Sequence, residues 1–272
     1  MLHLVLESAN NSTGAIGRHE AYVGVSGGFG NIRLGSINTA NLQANGAGAV
    51  FGTATGSGFT EIQTAAGGAV RFNNSLRYDT PTFNGFAASL TYAAGNKDAL
   101  TGGATPQITD LGLSYNNGPL AVNFSSLTRS ATDAQAAVAS TATTAGGSVG
   151  SAAVTAGVKN TFNLIGVNYT IGNAKLFAGY GDGDKSASGS DAKLSRVGAT
   201  YTMGAVTLLG SYSELEIGTN PKRKTTGLRA DYALSKRTTA YAGYEAYDQG
   251  SAIATGLGNK RNTAMVGVRH SF

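Results

Sequence analysis

The feature that most constrains this chain is the rhythm of its connections. Short and long segments alternate between runs in which side-chain character switches every second residue. About fourteen such runs are legible, near 2–8, 19–26, 30–36, 71–79, 85–95, 108–116, 119–128, 161–171, 174–182, 193–202, 205–215, 224–234, 237–248 and 262–272. "FNLIGVNYTIG" sets Ile165, Val167, Tyr169 and Ile171 against Gly166, Asn168 and Thr170. "TTGLRADYAL" sets Leu228, Ala230, Tyr232 and Leu234 against Gly227, Arg229 and Asp231. Period two is the signature of strands, and convincing helical periodicity is scarce. The short connections are "GGF", "PTFN", "NGP", "GN", "MG" and "SK", all rich in turn formers. The long ones fall near 9–18, 37–70, 96–107, 129–160, 183–192, 216–223 and 249–261.

If each strand pairs with its sequence neighbour, strict alternation gathers the short turns at one end and the long loops at the other. Sandwiches with Greek-key crossings rarely do this, because some connections must pass between sheets. The asymmetry fits a transmembrane antiparallel barrel. Aromatic placement agrees. Tyr78, Tyr115, Tyr169, Tyr201 and Tyr232 precede the short turns, with Phe272 in the same place on the last strand. Tyr92, Phe124, Tyr180, Tyr212 and Tyr244 lie on the strands that leave those turns. At ~3.3 Å per residue the two rings are roughly 20 Å apart, close to the lipid-facing band of a barrel, ~25 Å tall between aromatic girdles. The rings share the apolar parity and should face lipid. The other parity holds Ser75, Arg77, Ser114, Asn123, Asn168, Arg196, Arg229, Asp231 and Arg269, the pattern of a wet interior.

Composition excludes several alternatives. Charged residues are 13% of the chain and hydrophobic ones 41%, both low for a soluble domain of 272 residues. No stretch of 18 apolar residues occurs, so a membrane helix is not expected. "MLHLVLESANN" has no basic leader and reads as a strand. Cys is absent, which removes disulfides and thiolate metal sites. The net charge of +5 is spread thinly, with no long basic run.

Four segments, "HEAYVGVSGGFGNIRLG", "RFNNSLRYDTPTFNGFAASLTYA", "LSKRT" and the terminal "VGVRHSF", make the chain resemble the general-diffusion porins of beta-proteobacterial outer membranes. The resemblance runs along nearly the whole chain, and its specific parts are NNS-x-RYD-x-P and VG-x-RH-x-F. It implies an all-β, trimeric barrel of about sixteen strands, filled with water, with both termini in the periplasm. It also implies passive passage of small hydrophilic solutes and inorganic ions, often with a preference for anions. Residues 1–272 would form one barrel domain holding about fourteen of those strands. The partners implied are a homotrimer, outer-membrane lipid with lipopolysaccharide, and the barrel-assembly machinery reading Val268, His270 and Phe272. No cofactor, metal or nucleic acid is implied. Family members begin with a signal peptide and two further strands ahead of the stretch like "HLVLESA". The chain is therefore expected to be a fragment, or to start from a codon placed too late. Segment 37–70 takes the place of the family's constriction loop, which folds into the pore. Ser36 stands where the family commonly has a lumenal Arg.

Selectivity in such a pore comes from charge in a narrow lumen. The candidates of inward parity are Arg33, Arg77, Arg196, Arg229 and Arg269, with Asp79 and Asp231 beside them; Glu61 is the single acid of loop 37–70. An Arg-rich wall favours anions. Each charge could instead only keep the lumen wet, and Arg229 with Asp231 reads as a wall salt bridge. "GYGDGDKSASGSD" lacks the spacing of a calcium loop. "PKRK" could meet lipopolysaccharide phosphates or simply be solvated. "GAGAVFG" matches no phosphate or dinucleotide motif, and no helix is expected after it. The three His, at 3, 19 and 270, are scattered, and no Ser–His–Asp set is arguable, so no enzyme activity is expected. Two other readings remain at this point. One is a barrel adhesin acting through its long surface loops, among them the Ala/Thr/Ser/Gly-rich segment 129–160. The other is a soluble β-domain that binds a ligand. Heat-modifiable migration separates membrane barrels from the soluble domain, and single-channel conductance separates porin from adhesin.

Overall fold

Alternating side chains and tight turns build a continuous meander. The structure, a computed structural model, describes residues 3–10, 16–52, 54, 71–95, 106–130, 159–184, 191–250 and 260–271. The first strands are β1 (His3–Asn10), β2 (Ile16–Gly27) and β3 (Gly30–Asn38), followed by a helix, α1 (Ala40–Gly48). Then come β4 (Arg71–Asp79), β5 (Phe86–Ala93), β6 (Gln107–Asn117), β7 (Leu120–Ser130) and β8 (Lys159–Ile171). The chain continues with β9 (Ala174–Asp184), β10 (Ala192–Met203), β11 (Val206–Ile217), β12 (Arg223–Ala233), β13 (Thr238–Asp248) and β14 (Lys260–His270). All fourteen lie in one sheet in sequence order, every neighbouring pair antiparallel. The expected strands and the strict alternation of connections are therefore borne out. Among the described residues no ladder joins β14 to β1.

The short ends turn where the sequence placed turn formers. Gly118, Gly172 and Gly204 hold φ of +55°, +55° and +59°, and Asn84 holds +47°. Such left-handed values are open to Gly and tolerated by Asn.

The outer face is apolar and uncovered. Leu34, Leu76, Leu113, Ile165, Val197, Leu228 and Val266 are exposed, as are Tyr78, Tyr92, Tyr169, Tyr180, Tyr201, Tyr232 and Tyr244. In water this would be an untenable patch; against hydrocarbon it is the stable arrangement. The aromatic rings thus sit on the outward parity, as expected. Tyr78 anchors the neighbouring turn between β2 and β3 by donating from its hydroxyl to the Phe29 carbonyl at 2.7 Å. Among the described residues no helix is long and apolar enough to cross a membrane.

The sheet curls around its inward face. Arg77 on β4 and Arg229 on β12, eight strands apart, both reach the segment that carries α1. Two expectations are corrected here. Segment 37–70 was read without a helix, yet α1 forms within it. The interior parity was read as polar throughout, yet beyond α1 toward the long-loop end it is apolar. There Ile108, Leu127, Phe162, Leu164, Leu194 and Leu215 point inward, buried, and pack with Ala44 of α1. At that end the outward parity is polar, with Thr109, Ser126, Asn163, Lys193 and Glu214, so the alternation inverts its sense along each strand.

Candidate functional site: the lumen and its inward loop

"ANLQANGAG" is a weak helix sequence, with two Asn and two Gly among nine residues. Short helices are marginal without tertiary support, and here the barrel wall supplies it. Thr39 caps the N-terminus, its hydroxyl accepting from the Leu42 amide at 3.2 Å. The buried Asp110 carboxylate on β6 accepts from the Asn41 amide at 3.1 Å and from the Ser125 hydroxyl at 2.7 Å. A carboxylate at a helix N-terminus satisfies free amides and opposes the positive end of the dipole. At the other end Asn168 donates to the Ala47 carbonyl at 3.0 Å. Arg196 on β10 donates to the Asn45 side chain.

The wall beneath the helix is paved with glycine. A Cβ on Gly166 would overlap the Ala44 carbonyl, and one on Gly112 would overlap the Ala40 side chain. Gly48 approaches Gly166 and Gly179 so closely that a Cβ there would lie 3.0 Å and 3.1 Å from their Cα atoms. The alanines of α1 therefore lie directly on backbone.

Arg77 is 1% exposed. Its guanidinium donates to Asp79 at 2.8 Å, to the Asn38 carbonyl at 2.8 Å and to the Gln43 side chain at 3.0 Å. Asp79 also receives Arg33 at 2.7 Å, and Arg33 stacks over Tyr22 at 5.2 Å. Arg33, Arg77 and Asp79 form one cluster that fastens the loop. Arg196, 4% exposed, belongs to the same machinery on the opposite side of α1.

Arg229 and Asp231 form the expected wall pair, with contacts of 2.7 Å and 3.0 Å. Arg229 also lies 5.1 Å from the Phe51 ring of the loop and 5.7 Å from Tyr241. Arg269 is exposed on β14. Arg261, on the same inward parity, was missed. Its side chain is 66% exposed and bonded to Glu245 at 3.1 Å. Val268 faces outward at 65% exposure, and His270 contacts the Thr238 hydroxyl at 2.9 Å. Glu61 and Phe272 lie outside the described residues, as does most of 129–160. Asp110, Ser125, Gln43 and Asn45 also escaped the sequence reading. Asp110 stands mid-strand on the interior parity, which was a visible signal. The Asn residues of α1 offered none.

Ser36 sits in a β-bulge where the pairing of β3 with β4 shifts register between Gly35 and Ile37.

An antiparallel meander with a lipid-facing girdle and a loop helix bonded to its inner wall defines the fold of an outer-membrane β-barrel. The chain belongs to the Gram-negative porin family, whose pattern it matches over residues 2–252, and it is an outer-membrane protein. An outer membrane porin protein of Bordetella pertussis is 31% identical over 252 residues, which cover 83% of this chain and 63% of that protein. The chain thus spans less than two thirds of the length of that relative. The anion-selective porin from Comamonas acidovorans has the same fold, with a TM-score of 0.77 at 23% identity, covering 100% of this chain and 84% of that one. OmpT of Vibrio cholerae in its trimer form gives 0.68 at 20% identity, covering 98% and 86%.

Proposed function

We propose that the chain forms a water-filled channel for passive diffusion of small hydrophilic solutes and ions, with a weak preference for anions. The observation that carries this reading is α1, held against the inner wall by partners on β4, β6, β8 and β10. A helix fixed there by buried bonds narrows the lumen without sealing it, and segment 37–70 is its constriction loop. The anion preference follows from the interior charges. Among the described inward residues, Arg33, Arg77, Arg129, Arg196, Arg229, Arg261 and Arg269 outnumber Glu20, Asp79, Asp110, Asp231 and Glu245. Glu61 is the loop's own acid. Nothing in this reading calls for catalysis or a cofactor.

The chain assembles as a homotrimer in this reading, and OmpT of Vibrio cholerae has a trimer form. Val268, His270 and Phe272 form the terminal signal for barrel assembly. Segment 129–160 is an extracellular loop, and the outer surface meets lipid and lipopolysaccharide.

The test is a planar bilayer recording of the refolded full chain under a salt gradient. Ohmic steps with a reversal potential on the anion side support the reading. A barrel that inserts and does not conduct rejects it.

A further inference from the structure

On the short-turn side of α1 the inner wall holds a recess of about 120 Å³. A single water takes up about 10–15 Å³ of such space, so there is room for several waters or for one molecule of a few heavy atoms. Small side chains make the space. Ala87 pairs in register with Ser114, and Ser114 with Asn123. One row nearer the long loops, Asp79 pairs with Ser89, and Ser89 with Gly112. Gln43 of α1 and Arg77 of β4 complete the lining. The charges of the recess are already matched. Arg77 donates to Asp79, to the Asn38 carbonyl and to Gln43, and Asp79 also accepts from Arg33. The neutral groups are not matched. Ser89 and Asn123 make no side-chain hydrogen bond among the described residues. The Ser114 hydroxyl reaches only the Ala87 carbonyl, at 3.4 Å, beyond the usual range for such a bond. Gln43 accepts through its oxygen, which leaves its amide nitrogen as a donor.

This pattern selects a ligand class. An anion would need free guanidinium donors and a cation a free carboxylate, and here each satisfies the other. Hydroxyls and amides that both donate and accept match a molecule whose own groups do the same. We propose that this recess is a docking subsite for neutral polyols, short carbon chains or ring edges that carry a hydroxyl on each carbon. Ser114 and Asn123, side by side on one row, take two neighbouring hydroxyls. Ser89 and the Gln43 amide take a third. Gly112 leaves the carbon chain its place against the wall, since a Cβ there would already overlap the Ser89 hydroxyl. Four neutral side chains in a recess open to the lumen bind weakly, and a channel must release what it binds. The inference deepens the channel reading above and rests on it for a wet lumen.

The test is saturation-transfer NMR of the refolded full chain in deuterated micelles, with erythritol as the probe. The control is butanediol, which has the same carbon chain and only the end hydroxyls. Wild type transfers at least about threefold more signal to erythritol, as expected when inner hydroxyls add neutral hydrogen bonds. S114A/N123A lowers the erythritol signal to the level of butanediol, and K222Q, outside the lumen, leaves it unchanged. Equal signals from the two probes in wild type overturn the proposal without needing a variant, and leave the recess to water alone. Unchanged erythritol transfer in S114A/N123A, with its heat-modifiable band intact, overturns it as well. Bilayer conductance of the same preparation separates this inference from the one it rests on. Conducting protein without a preference for erythritol sinks the subsite alone, whereas protein that inserts without conducting sinks the channel reading.

Discussion

Two walls of the lumen share one parity and behave differently. Along β4–β10 the inward residues level with α1 are glycines under it or polar groups bonded to it, with an apolar layer beyond, and Arg77 and Arg196 are 1% and 4% exposed. Along β12–β14 the inward face carries Arg229, Arg261 and Arg269 beside Tyr241 and Tyr247, and the Arg261 side chain is 66% exposed. An arginine alone does not make a selectivity residue. On the first wall its donors are taken up by Asp79, Asn38 and Gln43, so it positions the loop. On the second, Arg261 and Arg269 stay exposed to the lumen, while Arg229 is paired with Asp231 and its side chain is 13% exposed.

The largest expected break in this contrast comes at the glycine paving. Gly166→Leu forces side-chain atoms into the Ala44 carbonyl, whereas a Cβ on Gly210 meets only Leu228, at 3.5 Å. We expect Gly166→Leu to destabilise by about 3 kcal/mol or more, the upper range for overpacking, and Gly210→Ala by less than about 1 kcal/mol. Thermal loss of the heat-modifiable band in micelles measures both, and similar midpoints for the two variants would mean that α1 does not lean on Gly166.

Next come the two kinds of arginine. Arg77→Met removes three donated bonds in a buried cluster and should cost on the order of 2–4 kcal/mol. Arg261→Met should cost less than Arg77→Met, because it removes one contact of a side chain that is 66% exposed, although the Glu245 carboxylate it leaves is buried. Selectivity should respond in the opposite order of structural importance. Arg261→Glu and Arg269→Glu should each move the anion-to-cation permeability ratio toward cations by about twofold, as expected for an exposed charge roughly 8 Å from a permeating ion in water. If Lys222→Glu gives the same reversal potential as these two, the β12–β14 wall has no special role.

The smallest effect belongs to Lys222, outside both walls. Its hydrogen bond to Glu214 raises the ammonium above the ordinary lysine value of 10.5, so the contact is intact below that pH and is lost as pH rises through the raised value. Lys222→Gln should leave thermal stability unchanged at neutral pH in a side-by-side melt.

Much of this architecture was legible from alternation and turn chemistry. Fourteen strands, the placement of the long loops and the outward girdle of Tyr78, Tyr180 and Tyr232 follow from period two and from where Gly and Asn interrupt it. The wall pair Arg229–Asp231 was legible for the same reason, being two residues apart on one face. What alternation could not give was which inward residues meet α1. The helix is a tertiary product: Asn41, Asn45, Gly46 and Gly48 weaken its helical signal, and its partners lie on strands far along the chain, such as Asp110 and Asn168. The inward apolar layer at Phe162 and Leu164 was hidden because the apolar parity inverts along the strand: Ile165 and Val167 face outward, whereas Thr161 and Asn163 on that same parity are polar.

The central claim is that α1 narrows the lumen of a conducting barrel. It is tested most directly by replacing residues 40–48 with a short Gly-Ser linker and comparing single-channel conductance with that of the unaltered chain in the same bilayer. Removing a helix about 10 Å across should raise conductance well beyond the scatter between single channels and weaken discrimination among solutes by size. Unchanged conductance with unchanged size discrimination would contradict the claim, since the helix would then stand aside from the path of the ions.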